Sequence, residues 1–464
     1  MHICRVFLMG MVSNSAYHSC LQNMYGLRRF GIKLGLSTIR NILASLGDPH
    51  NSYACIHVAG TNGKGSVASS LASILIQAGY KTGLYTSPHL VEFNERIQID
   101  NRPIPNSNVV AAYNTIKAAH HGEREPTFFE FATVMAFCEF AARKVDWAVI
   151  ETGMGGRLDA TNIIRPRLSI ITNISLEHRD YLGNTLAQIA AEKAGIIKPH
   201  TPAITAVRQS KALAVVKRKA AEKSAPFYRL GKDFKVRRNT TGAFSYRGID
   251  ASWRDLRTGL VGRHQVDNAA LVLAACEILN QNGAELTLEN IRAGLLNVRW
   301  PGRLELVSTE PRIILDGAHN FIAARNLARF LADNFDRRKI TMVVGILDDK
   351  PYRAMLKCLL PTAGRVILTR ARINRALEPA KLEALAKKII TGVTVKPSVK
   401  QALEHALDTA SPDDVICVAG SLYVVGEAKE ALESGFRVRS SRFEDQEGMI
   451  TGTGPLIFLD RSGD

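Results

Sequence analysis

The sequence has no Cys-x-x-Cys pair, and its seven cysteines are scattered and odd in number. That argues against a disulfide framework and fits the reduced thiols of a cytoplasmic protein. No apolar run reaches the ~18 residues a membrane-spanning helix needs, so no membrane association is expected. The apolar start "ICRVFLMGMV" is short, holds Arg5 and lacks a small-residue cleavage pattern. It reads as a ragged or over-extended start rather than a signal peptide. Internal repeats and low-complexity segments are missing too. No basic run is interleaved with aromatics; the densest cluster is "KRKAAEK" near Lys217. The net charge of +17, from 60 basic against 43 acidic residues, therefore reads as a solvated basic surface. Such a surface suits polyanionic ligands such as nucleotides, and nucleic acid is not expected as a partner.

At 464 residues, with 46% apolar and 22% charged, the chain is an ordinary globular sequence too long for one core. Two domains are expected. From Cys55, short apolar runs alternate with helical patterns. "CIHVA" is a buried strand, followed by a glycine loop and the helix "SVASSLASILIQAG". "KTGLYT", "DWAVIET" and "LSIITNI" are further strands, with helices around "FFEFATVMAFCEFAARK" and "LAQIAAEKAG". This predicts an α/β fold with a parallel sheet covered on both faces. Residues 225–250 read as a small antiparallel insertion. After the helix "HQVDNAALVLAACEILNQNG", Trp300-Pro301-Gly302 breaks the pattern and marks a boundary. Beyond it "RIILD", "TMVVG", "RVILT" and "DVICVAG" alternate with helices from Ala323, Glu378 and Leu422, a smaller Rossmann-like α/β domain. The expected divisions are an extension over 1–16, a central domain over 17–299, a C-terminal domain over 304–434 and a weakly structured tail over 435–464.

The loop "HVAGTNGKGSV" nearly spells a Walker A motif, but Val58 stands where the first glycine belongs and Gly65 intervenes before Ser66. Its parts still make a phosphate site. Gly60, Gly63 and Gly65 let backbone N–H groups approach an anion, and the helix beginning near Ser66 adds its positive dipole end. Lys64 can neutralise β/γ oxygens, and the Ser66 hydroxyl can ligate Mg²⁺. The fold expected around it is a P-loop NTPase-like parallel-sheet domain. Glu151 ends the "DWAVIE" strand, where ligands of open α/β sheets lie and where a Walker B carboxylate supports Mg²⁺. A merely solvated strand-end Glu is the alternative. His178, in "SLEHRD", follows another strand end; as a loop histidine it is equally a surface or capping residue.

The string Gly60-Thr61-Asn62-Gly63-Lys64-Gly65-Ser66 resembles the nucleotide loop of the Mur-ligase superfamily. More narrowly it resembles that of the folylpolyglutamate synthase/dihydrofolate synthase family. "LGLSTIRNILASLGDPH", "YTSPHLVEFNERI", "TFFEFAT", "ETGMGGRLDATN", "NISLEHRDYLGNT", "AAEKAGIIKP", "WPGRLE", "ILDGAHN" and "DDKPY" follow the same family's order over roughly residues 20 to 430. The resemblance implies ATP bound on this loop and two Mg²⁺ ions. Ser66 and Ser87 would serve one ion, and Glu151, His178 and a carbamoylated Lys193 the other. Carbamate formation needs a neutral amine, so the Lys193 pKa must fall well below its usual ~10.4; an ordinary solvated helix lysine is the alternative. Asn268, Arg303, Asp316 and His319 match nucleotide contacts, although Asp316 is also a plausible cap and Asn268 a core-facing polar residue. Phe129, Asp159 and Ala160, near or in "GRLDATN", match pterin contacts of members that accept dihydropteroate. Asp159 equally suits capping of a local turn.

The reading is an ATP-dependent amide ligase that adds L-glutamate to dihydropteroate and, by γ-linkage, to reduced folates through an acyl phosphate. Lys64, His178 and Lys193 are its candidate catalytic residues, with ATP seated between the domains and the protein a cytoplasmic monomer. No Ser-His-Asp or Cys nucleophile stands out, and none is required: positioning and charge stabilisation suffice. The rivals are a Mur-type ligase of peptidoglycan precursors and a P-loop NTPase coupled to nucleic-acid binding.

Overall fold

The structure, a computed structural model, describes residues 13–27, 31, 33, 35–239 and 242–435. The chain divides into two compact units. Of the described residues, the first holds those up to Asn239, Ala243–Thr258 and Gln265–Val298; the second holds Gly242, Gly259–His264 and those from Arg299 to Gly435.

In the first unit the apolar runs pair into one sheet. Its strands are β1 (Ala54–Ala59), β2 (Thr82–Tyr85), β3 (Ile97–Ile99), β4 (Arg102–Pro103), β5 (Trp147–Glu151), β6 (Leu168–Ile171), β7 (Ala203–Thr205) and β8 (Phe227–Arg229). Their order is β4-β3-β2-β5-β1-β6-β7-β8, parallel from β2 through β8, with β3 and β4 antiparallel at one edge. β1 and β6 are buried almost throughout because both faces are covered, which is why they are mostly apolar, each with one buried polar side chain, His57 and Ser169. One face packs on the helix Phe128–Arg143, whose start is the capping box of "TFFE". There the Glu130 N–H donates to Thr127 Oγ1 (3.2 Å), and the Thr127 N–H donates to Glu130 Oε2 (2.8 Å). Further along the same face, toward β6 and β7, pack the helices Leu186–Ala194 and Ser210–Glu222, and the helix Lys64–Gln77 lies against β1, β2 and β5.

The expected antiparallel insertion over 225–250 is displaced. Phe227–Arg229 joins the main sheet as its parallel edge, pairing with Ala203–Thr205. The separate antiparallel sheet is β9 (Lys235–Arg238), β10 (Phe244–Arg247) and β11 (Ser252–Leu256). A helix, Asn14–Gly26, begins inside the stretch read as an extension. Tyr17, Cys20 and Met24 bury one face of it, and Tyr17 Oη donates to Asn94 Oδ1 (2.6 Å). Residues 1–12 of that stretch, and the tail beyond Gly435, lie outside the described residues.

The second unit is built on a six-stranded sheet. Its strands are β12 (Glu305–Thr309), β13 (Arg312–Asp316), β14 (Ile340–Val344), β15 (Arg365–Leu368), β16 (Val393–Val395) and β17 (Val415–Ala419), in the order β12-β13-β17-β14-β15-β16. β12 pairs antiparallel with β13, and the other pairings are parallel. Its own core gathers Ile314, Leu327, Met342, Val366 and Cys417.

Candidate active site

The loop leaves the carboxyl end of β1, in the middle of the first sheet. Gly60 has φ +150°, and a Cβ there would run into the Thr172 hydroxyl. Gly63 has φ +85°, and a Cβ there would lie 2.5 Å from Asn268 Oδ1. Both positions demand glycine for conformation and for space. Between them the chain is clasped by the end of β6. The Thr61 N–H donates to the Asn173 carbonyl (2.9 Å) and the Asn62 N–H to Asn173 Oδ1 (3.0 Å). The Asn62 carbonyl accepts from Thr172 Oγ1 (2.7 Å) and Asn173 Nδ2 (2.8 Å).

These contacts narrow the expected phosphate cradle. Thr61 and Asn62 already direct their N–H groups inward. The donors open to an anion by position are those of the next helix, Lys64–Gln77, which starts two residues before the expected Ser66 because Gly63 turns the chain left-handed. Lys64, Gly65 and Ser66 form its first turn, where N–H groups have no intrahelical acceptor. Ser66 is 3% exposed, and its Oγ accepts from Gln265 Nε2 at 3.4 Å. Gln265 Oε1 in turn accepts from Asn268 Nδ2 (2.8 Å), so one helix face braces both Gly63 and Ser66.

Because β5 lies between β2 and β1, its end brings Glu151 beside both neighbouring loops. Glu151 is buried; its Oε2 accepts from the Ser87 N–H (3.2 Å) and its Oε1 lies 3.8 Å from Lys64 Nζ. Lys64 Nζ also reaches the Thr61 carbonyl (3.3 Å). Lys64, Ser87 and Glu151 are thus brought together, with Ser66 on the adjoining helical turn. Two hydroxyls and a buried carboxylate at a strand-end cradle are a donor set that fits Mg²⁺.

Lys193 is no solvated lysine: it is 1% exposed, and Nζ donates to the Gly60 carbonyl (2.8 Å) and to Glu177 Oε1 (2.8 Å). Burial pushes its pKa down against the pull of Glu177, with Lys64 adding to the fall. Burial alone would raise Glu177, but Lys193 and Lys64 bring it down to about 2. His178 is exposed, takes a left-handed φ of 46° and heads the short helix Arg179–Leu182. Among the described residues no three His, Cys, Asp or Glu side chains gather closely enough to hold a metal ion.

Around "RLDATN", Asp159 caps the turn Ala160–Ile163. Oδ1 accepts from Thr161 Oγ1 (2.6 Å) and the Thr161 N–H (3.1 Å), and Oδ2 from the Met154 N–H (2.8 Å). The local capping role is therefore realised. Thr161 Oγ1 also meets His57 Nε2 at 2.8 Å, tying this turn to β1. Ala160 is buried, and half-buried Phe129 packs its ring against Gly153, where any Cβ would collide with it.

In the second unit, Asp316 ends β13 with Oδ2 accepting from the Leu304 N–H (3.0 Å) and Oδ1 from the Ala318 N–H (3.0 Å). Burial raises its pKa, while Arg303 nearby and these two N–H groups hold it down. Arg303 lies over Gly317, where a Cβ would strike its guanidinium, and His319 Nδ1 meets the Gly317 carbonyl at 2.8 Å. The helix cap is Asn320, whose Oδ1 accepts from the Ala323 N–H (3.0 Å). Arg303, Asp316 and His319 therefore share one turn.

Sequence reasoning missed Asn173, Glu177, Gln265 and His57. Gln265 left a trace: it stands three residues before Asn268 on a helix whose other inward positions are mostly apolar. Asn173 and Glu177 left none.

Residues 58–276 match the Mur ligase middle domain, and residues 302–422 match the Mur ligase glutamate ligase domain. The dihydrofolate synthase/folylpolyglutamate synthase of Bacillus subtilis is 37% identical over 437 residues, covering 90% of this chain and 100% of that protein. The folylpolyglutamate synthase of Lacticaseibacillus casei is 38% identical over 409 residues, covering 86% and 94%. Among solved structures, Escherichia coli FolC in complex with DHPP and ADP aligns with a TM-score of 0.83 at 31% identity, over 89% of this chain and 98% of that one. With both Mur ligase domains matched in order and likeness to these synthases running over about nine-tenths of its length, the chain belongs to the dihydrofolate synthase/folylpolyglutamate synthase family of Mur ligases.

Proposed function

We propose that this chain adds L-glutamate to dihydropteroate and then, by γ-linkage, to reduced folates, each time through an acyl phosphate formed from ATP. The observation that carries this reading is the buried Glu151 at the carboxyl pole of the sheet, 3.8 Å from Lys64 on the first turn of the loop helix. A carboxylate oxygen leaves poorly. Transfer of the ATP γ-phosphoryl to it releases ADP, and the glutamate amine then attacks the acyl carbon as phosphate departs and the amine loses a proton. The N–H groups of Lys64, Gly65 and Ser66 and the Lys64 ammonium would hold the phosphates and offset their charge. Mg²⁺, two ions in this reading, would be held by Ser66 and Ser87 and by Glu151, His178 and a carbamoylated Lys193; when bound it offsets negative charge on the transferring phosphoryl group.

Burial of Lys193 supports the carbamate, because it favours the neutral amine. Lys193 would first have to release Gly60 and Glu177. Asn268, Arg303, Asp316 and His319 are assigned to the nucleotide. Phe129, Asp159 and Ala160 are assigned to the pterin, Phe129 by its half-buried ring and Asp159 by lone pairs beyond those used in capping. Residues 17–299 and 304–434 are the corresponding domains. We take the enzyme to be a cytoplasmic monomer; among the described residues no helix is long and apolar enough to cross a membrane.

Labelled glutamate incorporation with dihydropteroate and with tetrahydrofolate, measured in parallel, tests the reading. Both substrates should be extended, and Lys64→Ala should abolish both activities. Glutamate-independent ATP hydrolysis stimulated by DNA or RNA, or ligation only to a peptidoglycan precursor, would overturn it. Density for one carboxylate group added to Lys193 Nζ, in a high-resolution map, is the check on that modification.

A further inference from the structure

Asp159 is 5% exposed, and two buried side chains behind it hold its carboxylate. Thr161 Oγ1 donates to Asp159 Oδ1 (2.6 Å), and His57 Nε2 meets the same hydroxyl at 2.8 Å. Both Thr161 and His57 are 0% exposed. The contacts run from the turn Ala160–Ile163 to the middle of β1, 104 positions away in sequence. The imidazole has no other polar tie, since Nδ1 is buried without a hydrogen-bond partner. A core-facing ring satisfied at one nitrogen costs stability that an apolar side chain would not. Such a local violation is expected where a functional site needs it.

The need is set by Asp159. An aminopyrimidine edge offers N–H donors, so a carboxylate facing it has to be ionised and accepting. Burial alone favours the neutral acid, which would turn a donor towards that edge. Against burial stand the hydrogen bonds Asp159 accepts from the N–H groups of Met154, Gly153 and Thr161 and from the Thr161 hydroxyl. Among these the hydroxyl is the one side-chain donor, and it has a single proton to give. With the His57 Nε2–H donating to it, that proton is directed to Asp159, and each bond fixes the direction of the next. The Thr161 N–H is a second donor on Oδ1 (3.1 Å), so this oxygen is committed to the turn. Oδ2 is left to meet a ligand, beside its bond from the Met154 N–H (2.8 Å).

We propose that His57 and Thr161 are positioning residues for the pterin: neither touches it, and both act by holding the Asp159 carboxylate ionised with Oδ2 towards the ligand. This rests on the assignment of Asp159 to the pterin. Steady-state kinetics of the full chain, with dihydropteroate and ATP varied in turn, tests it. Thr161→Val keeps the shape and loses the hydroxyl; it should raise the KM for dihydropteroate about tenfold, and His57→Leu about threefold. The KM for ATP should stay within about twofold of wild type in both. Thr161→Ser and His57→Gln, which keep the hydroxyl and a donor, should recover most of the loss. The same two damaging substitutions are then made in an Asp159→Ala background, whose own KM for dihydropteroate should be raised. There each should add less than about twofold, because the group they act through is gone. Full effects persisting in that background, no rise in KM in either single variant, or equal rises for ATP and dihydropteroate would overturn the proposal and leave the pterin assignment standing. A KM for dihydropteroate unchanged by Asp159→Ala itself overturns the assignment, and this proposal with it.

Discussion

Acidification from pH 7.5 to pH 5 should destabilise the first unit by roughly 2 kcal/mol through His57 alone. The reasoning begins with Thr161. Its hydroxyl donates to Asp159 Oδ1 at 2.6 Å, so toward His57 Nε2, 2.8 Å away, it can only accept. That contact fixes the neutral ring with its proton on Nε2, and leaves Nδ1, buried and without a partner, as a bare acceptor. Protonation would put a second N–H where nothing receives it, in a side chain with 0% exposure. Burial, with Lys198 adding a like charge, therefore lowers the pKa from 6.5 to about 3. Between those values the unfolded chain binds the proton and the folded one does not, so stability is complete above pH 6.5 and is lost as pH falls towards 3. The assay is urea unfolding of wild type and His57→Gln at both pH values. The substituted amide would keep a donor near Thr161 but cannot titrate. Wild type should lose roughly 2 kcal/mol more than the variant over this interval. Equal losses in the two proteins would refute both the tautomer and the burial argument.

Gly63→Ala should weaken ADP binding about tenfold or more, since a left-handed backbone costs a side chain about 1–2 kcal/mol before the collision with Asn268 is counted. Adding Asn268→Ala removes the collision, so the double variant should bind better than the two single losses combined; calorimetric titration of ADP reads both. Gln265→Leu removes the partner of Ser66 and of Asn268 and should raise the KM for Mg·ATP by about fivefold or more, from the ~1–3 kcal/mol of unmet hydrogen bonds, in steady-state kinetics. Glu177→Ala leaves the Lys193 ammonium buried against a carbonyl alone, and should lower stability by about 3–5 kcal/mol in urea unfolding at pH 7.5.

What the sequence made legible was local. The strand, glycine turn and helix of the loop, and Glu151 at the end of an apolar run, each carry their signal within a few residues, and the sheet places them at the pole expected. The contacts that hold the loop were not legible, because they join segments remote in the chain. Asn173 clasps Asn62 from 111 positions away, and Gln265 reaches Ser66 across 199. Nothing near Asn173 distinguishes it from any polar residue closing a strand.

Lys193 is the instructive case. Its helix buries Ile189, Ala190 and Ala194, so 3.6-residue periodicity puts Lys193 on that same inward face. Reading it as a solvated lysine ignores its own helix. Asn268 and Gln265 sit likewise at inward positions of a mostly apolar helical face. A polar side chain where the period demands an apolar one is a local violation that must be offset elsewhere, and here each is offset by a contact with the loop, directly or through Gln265. Asp159 limits the rule. Its three inward hydrogen bonds are accounted for by the turn it caps, through Thr161, and by the Met154 N–H of the preceding loop, so its burial alone argues for structure; any role towards a ligand has to rest on lone pairs these leave over. Counting the hydrogen bonds a buried polar group has already made therefore separates the two cases: Lys193 holds the loop itself, whereas Asp159 holds its own turn.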